Sequence, residues 1–318
     1  MNLISWLKML WGILQMKDNL YHIPVLLHAA TNALINNLDG NYVDVTFGGG
    51  GHSKQILKLI NNGKLLAFDQ DSDSFINQID DSRFKLVRQN FRNIQNVLEA
   101  NKFGLCDGII ADLGVSSFQF DNSHRGFSFR FDSKLDMRMN KDSLISAFDI
   151  INNYSENELV DLFLKFGEFK NIEAKRIALS IVKKRINTSI DTTAQLVHTI
   201  EHLFPVKLKN KFLARVFQSV RIEVNQELDA LMDFLKQIPF CLKKNGSAVV
   251  ITYHSLEDRL VKNFFKSGNF KGIAQKDFFG VESNPFTLEN KKPIVPSFSE
   301  INSNPRARSA KLRIAKLN

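Results

Sequence analysis

Four consecutive glycines, Gly48-Gly49-Gly50-Gly51, follow the short β-rich run Tyr42-Val43-Asp44-Val45-Thr46-Phe47. No other feature constrains this chain so tightly. Glycine loses more backbone freedom on folding than any other residue, so four in a row cost too much to serve only as a turn. They let a backbone approach a ligand closely. A helix expected from Ser53 to Ile60 would aim its unpaired N-terminal N–H groups at an anionic part of that ligand. The chain then alternates. Residues 22–39 read as the approach to a helix and the helix itself. Lys64 to Phe68 reads as a strand ending at Asp69, Phe84 to Arg88 as the next, and Asp107 to Leu113 as a fourth, strongly apolar one, with helical stretches after Asp69 and over 92–101. Such spacing means βαβ units and an α/β, doubly wound parallel sheet, with its ligand edge at the carboxyl ends of the strands.

The next buried strand is Ala248 to Tyr253, and 134 residues separate it from Leu113. That is far more than one crossover needs. A helix over Asn171 to Arg185 carries Ala174, Ile177, Ala178, Ile181 and Val182 on one face, with Lys175, Lys183 and Lys184 outside it. A second, from Ala214 to Gln237, aligns Phe217, Val220, Val224, Leu228, Leu231 and Leu235 and serves as the crossover back. The expected organisation is a core of residues 21–124 and 216–318, a helical insertion at 125–215 and an extension at 1–20. Ser283 to Pro305 holds four of the seven prolines and reads as an irregular loop.

Lys and Arg total 42 against 33 Asp and Glu, a formal charge of +9, which fits a polyanionic partner, nucleic acid first. The two cysteines, Cys106 and Cys241, form no C-x-x-C pair, so a disulfide framework and a cysteine zinc site are not expected, and a cytoplasmic, reducing location fits. The apolar run Leu3 to Met16 is broken by Lys8 and is too short to span a bilayer, and no cleavage site follows it. An interfacial helix is the alternative to a loose extension.

Neither Gly48 nor Gly49 starts a G-x-G-x-x-G, because Ser53 and Lys54 hold the sixth positions, so the dinucleotide fingerprint is absent. Asp69 ends strand two about twenty residues later, where a carboxylate can accept ribose hydroxyls. Asp44 lies inside a strand, where an acid is unexpected unless it faces the ligand crevice. D-x-T-x-G-x-G followed by an acid suits S-adenosylmethionine better than NAD. Asp112 closes strand four at the carboxyl edge, where a methyl transfer to an amino group needs a hydrogen-bond acceptor. Gln218, Arg221 and Asn225 share one helix face. His254 has no G-x-S-x-G partner, so hydrolase chemistry is unsupported. His198 and His202 stand i, i+4 without H-E-x-x-H, and no metal is expected. Five bases and no acid lie between Arg306 and Lys316; they read either as edge-strand gatekeepers or as phosphate contacts, with Arg306, Arg308 and Lys311 the candidates for RNA.

His22-Ile23-Pro24-Val25-Leu26-Leu27, Asp44 to Ser53, Asp107 to Gln119, Arg125 to Phe129, Leu135 to Met139, Phe217 to Leu228, His254 to Lys262 and Arg306 to Arg313 resemble, in order, the motifs of the ribosomal RNA small subunit methyltransferase H family. The resemblance covers nearly everything from residue 21 onward. It implies a class I methyltransferase (Rossmann-like) core with an inserted helical domain. It also implies S-adenosylmethionine as cofactor, and methylation of the exocyclic N4 of a cytidine in the decoding region of bacterial 16S rRNA. Carried over residue by residue, it implies cofactor contacts from Gly50, Gly51 and His52, ribose binding by Asp69, Phe91 near the adenine, and Asp112 and Gln119 completing the site. His28 stands where the family commonly has an acid, Phe118 replaces a usual proline, and Ala214-Arg215-Val216 departs from a Thr-Arg-Thr-like stretch. The proton acceptor stays open between Asp112 and His254. Two rival classes predict different ligands: a non-catalytic RNA-binding protein, and an NAD-dependent oxidoreductase.

Overall fold

The computed structural model describes residues 24–116, 119–120, 122, 124–274 and 283–318. The extension at 1–20, the first two residues of the His22 motif, Ser117 and the Phe118 departure lie outside the described residues. In chain order the elements are α1 (Leu27–Leu34), β1 (Tyr42–Asp44), α2 (Gly51–Leu59), β2 (Leu65–Asp69), β3 (Phe84–Arg88), α3 (Ile94–Ala100) and β4 (Cys106–Asp112). The helices α4 (Ala147–Asn153), α5 (Glu156–Gly167), α6 (Asn171–Asn187), α7 (Thr193–Ile200), α8 (Lys209–Asn225) and α9 (Glu227–Cys241) follow. The chain then forms β5 (Leu242–Thr252), α10 (Ser255–Ser267), β6 (Phe286–Leu288), α11 (Phe298–Ser303) and β7 (Lys311–Leu317).

One seven-stranded sheet runs β3-β2-β1-β4-β5-β7-β6. The five strands β1 to β5 are parallel, and β7 is antiparallel to both β5 and β6. Alternation along the strands builds both faces at once, as a sheet covered on two sides requires. Ile109, Ala111, Ala248 and Val250 pack with Ile94 of α3, Leu231, Phe234 and Ile238 of α9, and Val261 and Phe265 of α10. Ile110, Val249, Ile251, Leu312 and Ile314 face the other way, onto Ala30 and Leu34 of α1 and Ile56 and Leu57 of α2. Helices α4 to α8 gather around a third cluster, with Phe163, Ile177, Ala178, Ile181, Leu196 and Val220 at its centre. Three of these helices start with reciprocal caps, Ser146 with Asp149, Ser155 with Glu158 and Thr192 with Gln195. Each such box satisfies orphan N–H groups and contributes about 1 kcal/mol.

Three expectations need correction. The helix expected over Ala214 to Gln237 is two helices, α8 and α9, broken at Gln226 in the left-handed region at φ 49°. The apolar stripe continues across the break, so periodicity cannot reveal it. Gln226 donates its N–H to the Glu223 and Ile222 carbonyls, and its side chain accepts a bond from Arg92. The loop expected at Ser283 to Pro305 contains β6 and α11. A three-residue strand is too short to show alternation, and β6 is specified by its pairing with β7 and the burial of Phe286. The helical stretch after Asp69 is a 3-10 segment, Ser72–Asn77, capped by Asp71.

Candidate active site

At the carboxyl ends of β1, β2, β4 and β5 lies a cavity of about 380 Å³. Its sheet-side wall grows out of local geometry. Gly48 has φ 52°, a conformation that costs a side-chain-bearing residue but not glycine. Gly51 opens α2 directly under Pro24, and a Cβ there would sit 2.1 Å from the proline ring. Gly50 caps α2 without a side-chain bond, so the first-turn N–H groups have no capping oxygen. The Asp69 carboxylate accepts the N–H groups of Gly48 and Asp71, each at 2.8 Å, which fixes the loop's shape. Burial nevertheless pushes the Asp69 carboxyl up to about 6. Asp44, buried inside β1, accepts the Ser53 hydroxyl at 2.6 Å and is also raised, chiefly by burial.

Asp112 stands at the end of β4. It accepts the Tyr253 hydroxyl at 2.7 Å, and burial raises it to about 6. His52 lies beside it, Nδ1 to Oδ2 3.8 Å. The other nitrogen of His52, Nε2, is 3.2 Å from the Val25 carbonyl, to which it donates.

The opposite wall comes from the helices and from the irregular segment after β4. Arg125 is buried; it pairs with Asp71 at 3.0 Å and Asp73 at 2.8 Å, and donates to the Arg138 carbonyl. Asn225 spends both ends of its amide on this segment, accepting the Met139 N–H at 2.7 Å and donating to the Met137 carbonyl at 2.8 Å. Met137 itself is left-handed, φ 57°, and fully buried. Arg221 grips Glu227 through two bonds of 2.8 and 2.9 Å. Burial opposes the charge of Glu257, but His254, the Tyr253 N–H and Arg221 hold its carboxyl below the usual range.

Of the residues singled out by sequence, Gly51, His52, Asp69, Phe91, Asp112, Gln119, Gln218, Arg221, Asn225, His254 and Arg306 line the cavity. Gly50 forms the turn behind it. Phe91 packs edge-on against Phe234, ring centroids 5.4 Å apart. Gln119 donates to Asp71 at 2.7 Å and accepts the Ser116 N–H, so both ends of its amide hold the two loops together. Arg306 lies over the Phe120 ring. Lys311 pairs with Asp258 at 2.9 Å, and Arg313, buried, takes the same carboxylate at 2.6 Å. Arg308 is exposed. The edge-strand reading of this segment does not hold, since β7 lies inside the sheet. Tyr253, Glu227 and Glu257 also line the cavity, and Asp71 holds Gln119 and Arg125 from behind it. Tyr253 and Glu257 could have been found from their place just past β5, and Glu227 from its spacing to Arg221; Asp71 could not, because its partners Gln119 and Arg125 are distant in sequence. Exposed His198 approaches Glu201 at 3.7 Å. Among the described residues, the grouping with metal-ligand spacing is instead Glu227, His254 and Glu257. Arg221 already occupies Glu227, and Glu257 accepts the Tyr253 N–H.

A sheet of this order, with a reversed β7 and a cavity over the glycine loop after β1, is the architecture of a class I methyltransferase. The family model described as MraW methylase family matches residues 19–318, and the chain belongs to that family. The ribosomal RNA small subunit methyltransferase H of Bacteroides fragilis (strain YCH46) is 52% identical over 300 residues, which cover 94% of this chain and 98% of that protein. The protein of the same name from Flavobacterium johnsoniae is 51% identical over 296 residues, 93% and 97% of the two chains.

Proposed function

We propose that this chain is an S-adenosylmethionine-dependent methyltransferase of 16S rRNA, and that its target is the exocyclic N4 of a cytidine in the decoding region. The carrying observation is one cavity with two poles: a glycine loop with Asp69 at one end, and Asp112 held by Tyr253 at the other. The residues fit the cofactor. Asp69 offers a buried carboxylate to ribose hydroxyls, Phe91 an aromatic face to adenine, and the uncapped start of α2 suits a carboxylate. S-adenosylmethionine supplies an electrophilic methyl group whose bonding pair returns to sulfur as the new N–C bond forms.

This chain must do the rest. The amino lone pair of cytosine is delocalised, so positioning carries most of the rate, up to about 7–11 kcal/mol. The amino group must shed one proton. Asp112 accepts an N–H of that group, and a carboxyl with its pKa raised toward neutrality takes a proton more readily than an ordinary aspartate. A positioned acceptor adds about 10²–10⁴-fold. Tyr253 fixes one carboxylate oxygen and leaves the other, beside His52, for that proton. A base inside a stack cannot reach such a cavity, so the target is read from opened or single-stranded rRNA.

Mass spectrometry of 16S rRNA from cells lacking the protein tests this. Loss of one N4-methyl mark, restored by the wild-type chain but not by Asp112→Ala, is expected. An unchanged mark would overturn the function. S-adenosylmethionine, and not NAD, should raise the melting temperature of the purified protein.

A further inference from the structure

A second cavity, of about 350 Å³, lies at the opposite end of the sheet, where β2 and β3 begin. Strand β2 has five residues, so at about 3.3 Å each it sets this basal cavity about 15 Å from Asp69. Leu65, Leu66 and Phe103 give it an apolar floor, and Lys64, Lys85 and Lys102, all exposed, stand round it. No carboxylate lines it. Arg83, also in the lining, is already engaged: its guanidinium takes Asp81 and the carbonyls of Leu57, Ile60 and Asn61. The three lysines have no carboxylate partner among the described residues. Protection of a sheet edge explains one of them. Lys85 lies on the edge strand β3, but Lys64 precedes β2, inside the sheet, and Lys102 follows α3. Lys102 has φ 49° and ends α3 in a position that glycine usually holds, with its N–H on the Glu99 carbonyl and the Phe103 N–H on the Leu98 carbonyl. Like charges gathered over a hollow without a counter-charge raise the local potential and draw in an anion.

We propose that the basal cavity is a second contact for the rRNA substrate, holding the phosphate backbone of a segment other than the one that carries the target base. The inference rests on the function proposed above. The kind of cation decides between a polyanion and a small anion. Sites for a single phosphate commonly use forked guanidinium groups or backbone N–H groups fixed in place. Here the guanidinium of Arg83 is already bonded, and what remains is three flexible lysines. Such point charges suit a chain of phosphates, whose condensed counterions they release. Phe103 in the floor adds an aromatic surface for a base that turns inward. Contacts of this kind position an RNA without reading its sequence. The enzyme gains from them because binding energy from remote parts of a substrate helps align the reacting part.

The test uses the full chain and purified 16S rRNA. Lys64→Gln, Lys85→Gln and Lys102→Gly are combined; glycine suits the left-handed position, so the fold is kept. Expected are a slope of log K against log salt shallower by up to about 2, from about 0.7 per contact on single-stranded RNA, and affinity weaker by about tenfold or more at about 0.15 M salt. S-adenosylmethionine affinity should stay within about twofold of wild type, because the two cavities are distant. An unchanged salt slope with reduced solubility overturns the inference in favour of edge protection. Removing three charges anywhere lowers long-range attraction, so the contact is also read directly. Both cysteines of the chain are buried, so Ser82→Cys, at the exposed rim, takes a thiol-directed photocrosslinker selectively. Crosslinking to 16S rRNA that unlabelled wild-type chain competes away supports the site, and it decides alone if the triple variant does not fold. No crosslink from a chain that still methylates the rRNA overturns it. A mononucleotide that stabilises the wild type but not the triple variant, with equal rRNA affinity in both, makes this a small-ligand site and overturns it too. A wild-type chain that does not bind 16S rRNA overturns the function itself and is read separately.

Discussion

On the sheet side of the cavity, Asp44, Asp69 and Asp112 stand without a lysine or arginine partner among the described residues, and burial holds their carboxyls above the ordinary range. Across from them, Arg125 is matched by Asp71 and Asp73, and Arg221 by Glu227. One wall keeps acids without a lysine or arginine partner in wait for a ligand; the arginines of the other are already taken. The difference separates two jobs. A wall that binds a cationic, hydroxyl-bearing molecule gains from carboxylates that the protein has not already neutralised. A wall made of helices and an irregular segment needs its charges paired merely to stay in place.

Breaking the paired wall should cost most. Arg125→Ala strands the buried Asp71, and removing one partner of a buried pair destabilises by about 3–5 kcal/mol. Urea denaturation should show that loss together with loss of methyl transfer. Arg88, which ties the same segment to β3 through Asp142 at 2.6 Å, is an exposed counterpart. Arg88→Ala should shift stability by at most about 1 kcal/mol. Equal effects from the two arginines would erase the contrast between the walls.

The unpaired wall is probed through its ligand. Asp69→Asn should weaken S-adenosylmethionine binding by about 1.5–3 kcal/mol, roughly 10- to 100-fold by calorimetry. Affinity unchanged by the substitution would remove Asp69 from the ribose role.

The same acids make a pH prediction. Asp69 and Asp112 are raised to about 6 in the folded protein, from the usual 3.8. The folded state therefore binds protons more readily than the unfolded chain. Their contribution to stability is fully present below about pH 4 and is lost as pH rises through about 6. Between pH 7 and 5 the ligand-free protein should gain stability from these two groups, and Asp69→Asn with Asp112→Asn should flatten that gain. A melting curve rising equally steeply in the double variant would show that other groups carry it.

The smallest effect belongs to the C-terminal bases. Lys311 already has Asp258, so its charge is compensated, whereas Arg308 is exposed. Arg308→Ala should reduce the slope of log K against log salt for rRNA by about 0.7. Lys311→Ala should change it less.

Sequence patterns made the sheet-side wall legible. Gly48 to Gly51, Asp69 and Asp112 all sit at strand ends, where a local run of residues states both the element and its terminus. The helical wall was hidden because its logic is long-range. Arg125 and Asp71 look like ordinary surface residues until the fold brings them together, and the Gln226 break carries neither glycine nor proline. Asn225 was placed on the correct face of its helix, but its bonds to Met137 and Met139 depend on a segment 86 residues away. Strand β6 escaped because only β7 defines it.

Strand β7 enters the sheet between β5 and β6, not at its margin. Residues 311–317 are made well after β5 ends at Thr252. At ribosomal speeds of about 5–20 residues per second, that interval lasts several seconds. Throughout it, β5 carries an unpaired edge rich in Val249, Val250 and Ile251, the kind of surface on which another strand can nucleate. The nascent protein is therefore most vulnerable to wrong association late in its synthesis, when most of its hydrophobic mass already exists. Arg313 and Asp258 supply a register mark for the arriving strand: a one-residue slip would turn the guanidinium away from its carboxylate and onto the apolar face beside Leu312 and Ile314.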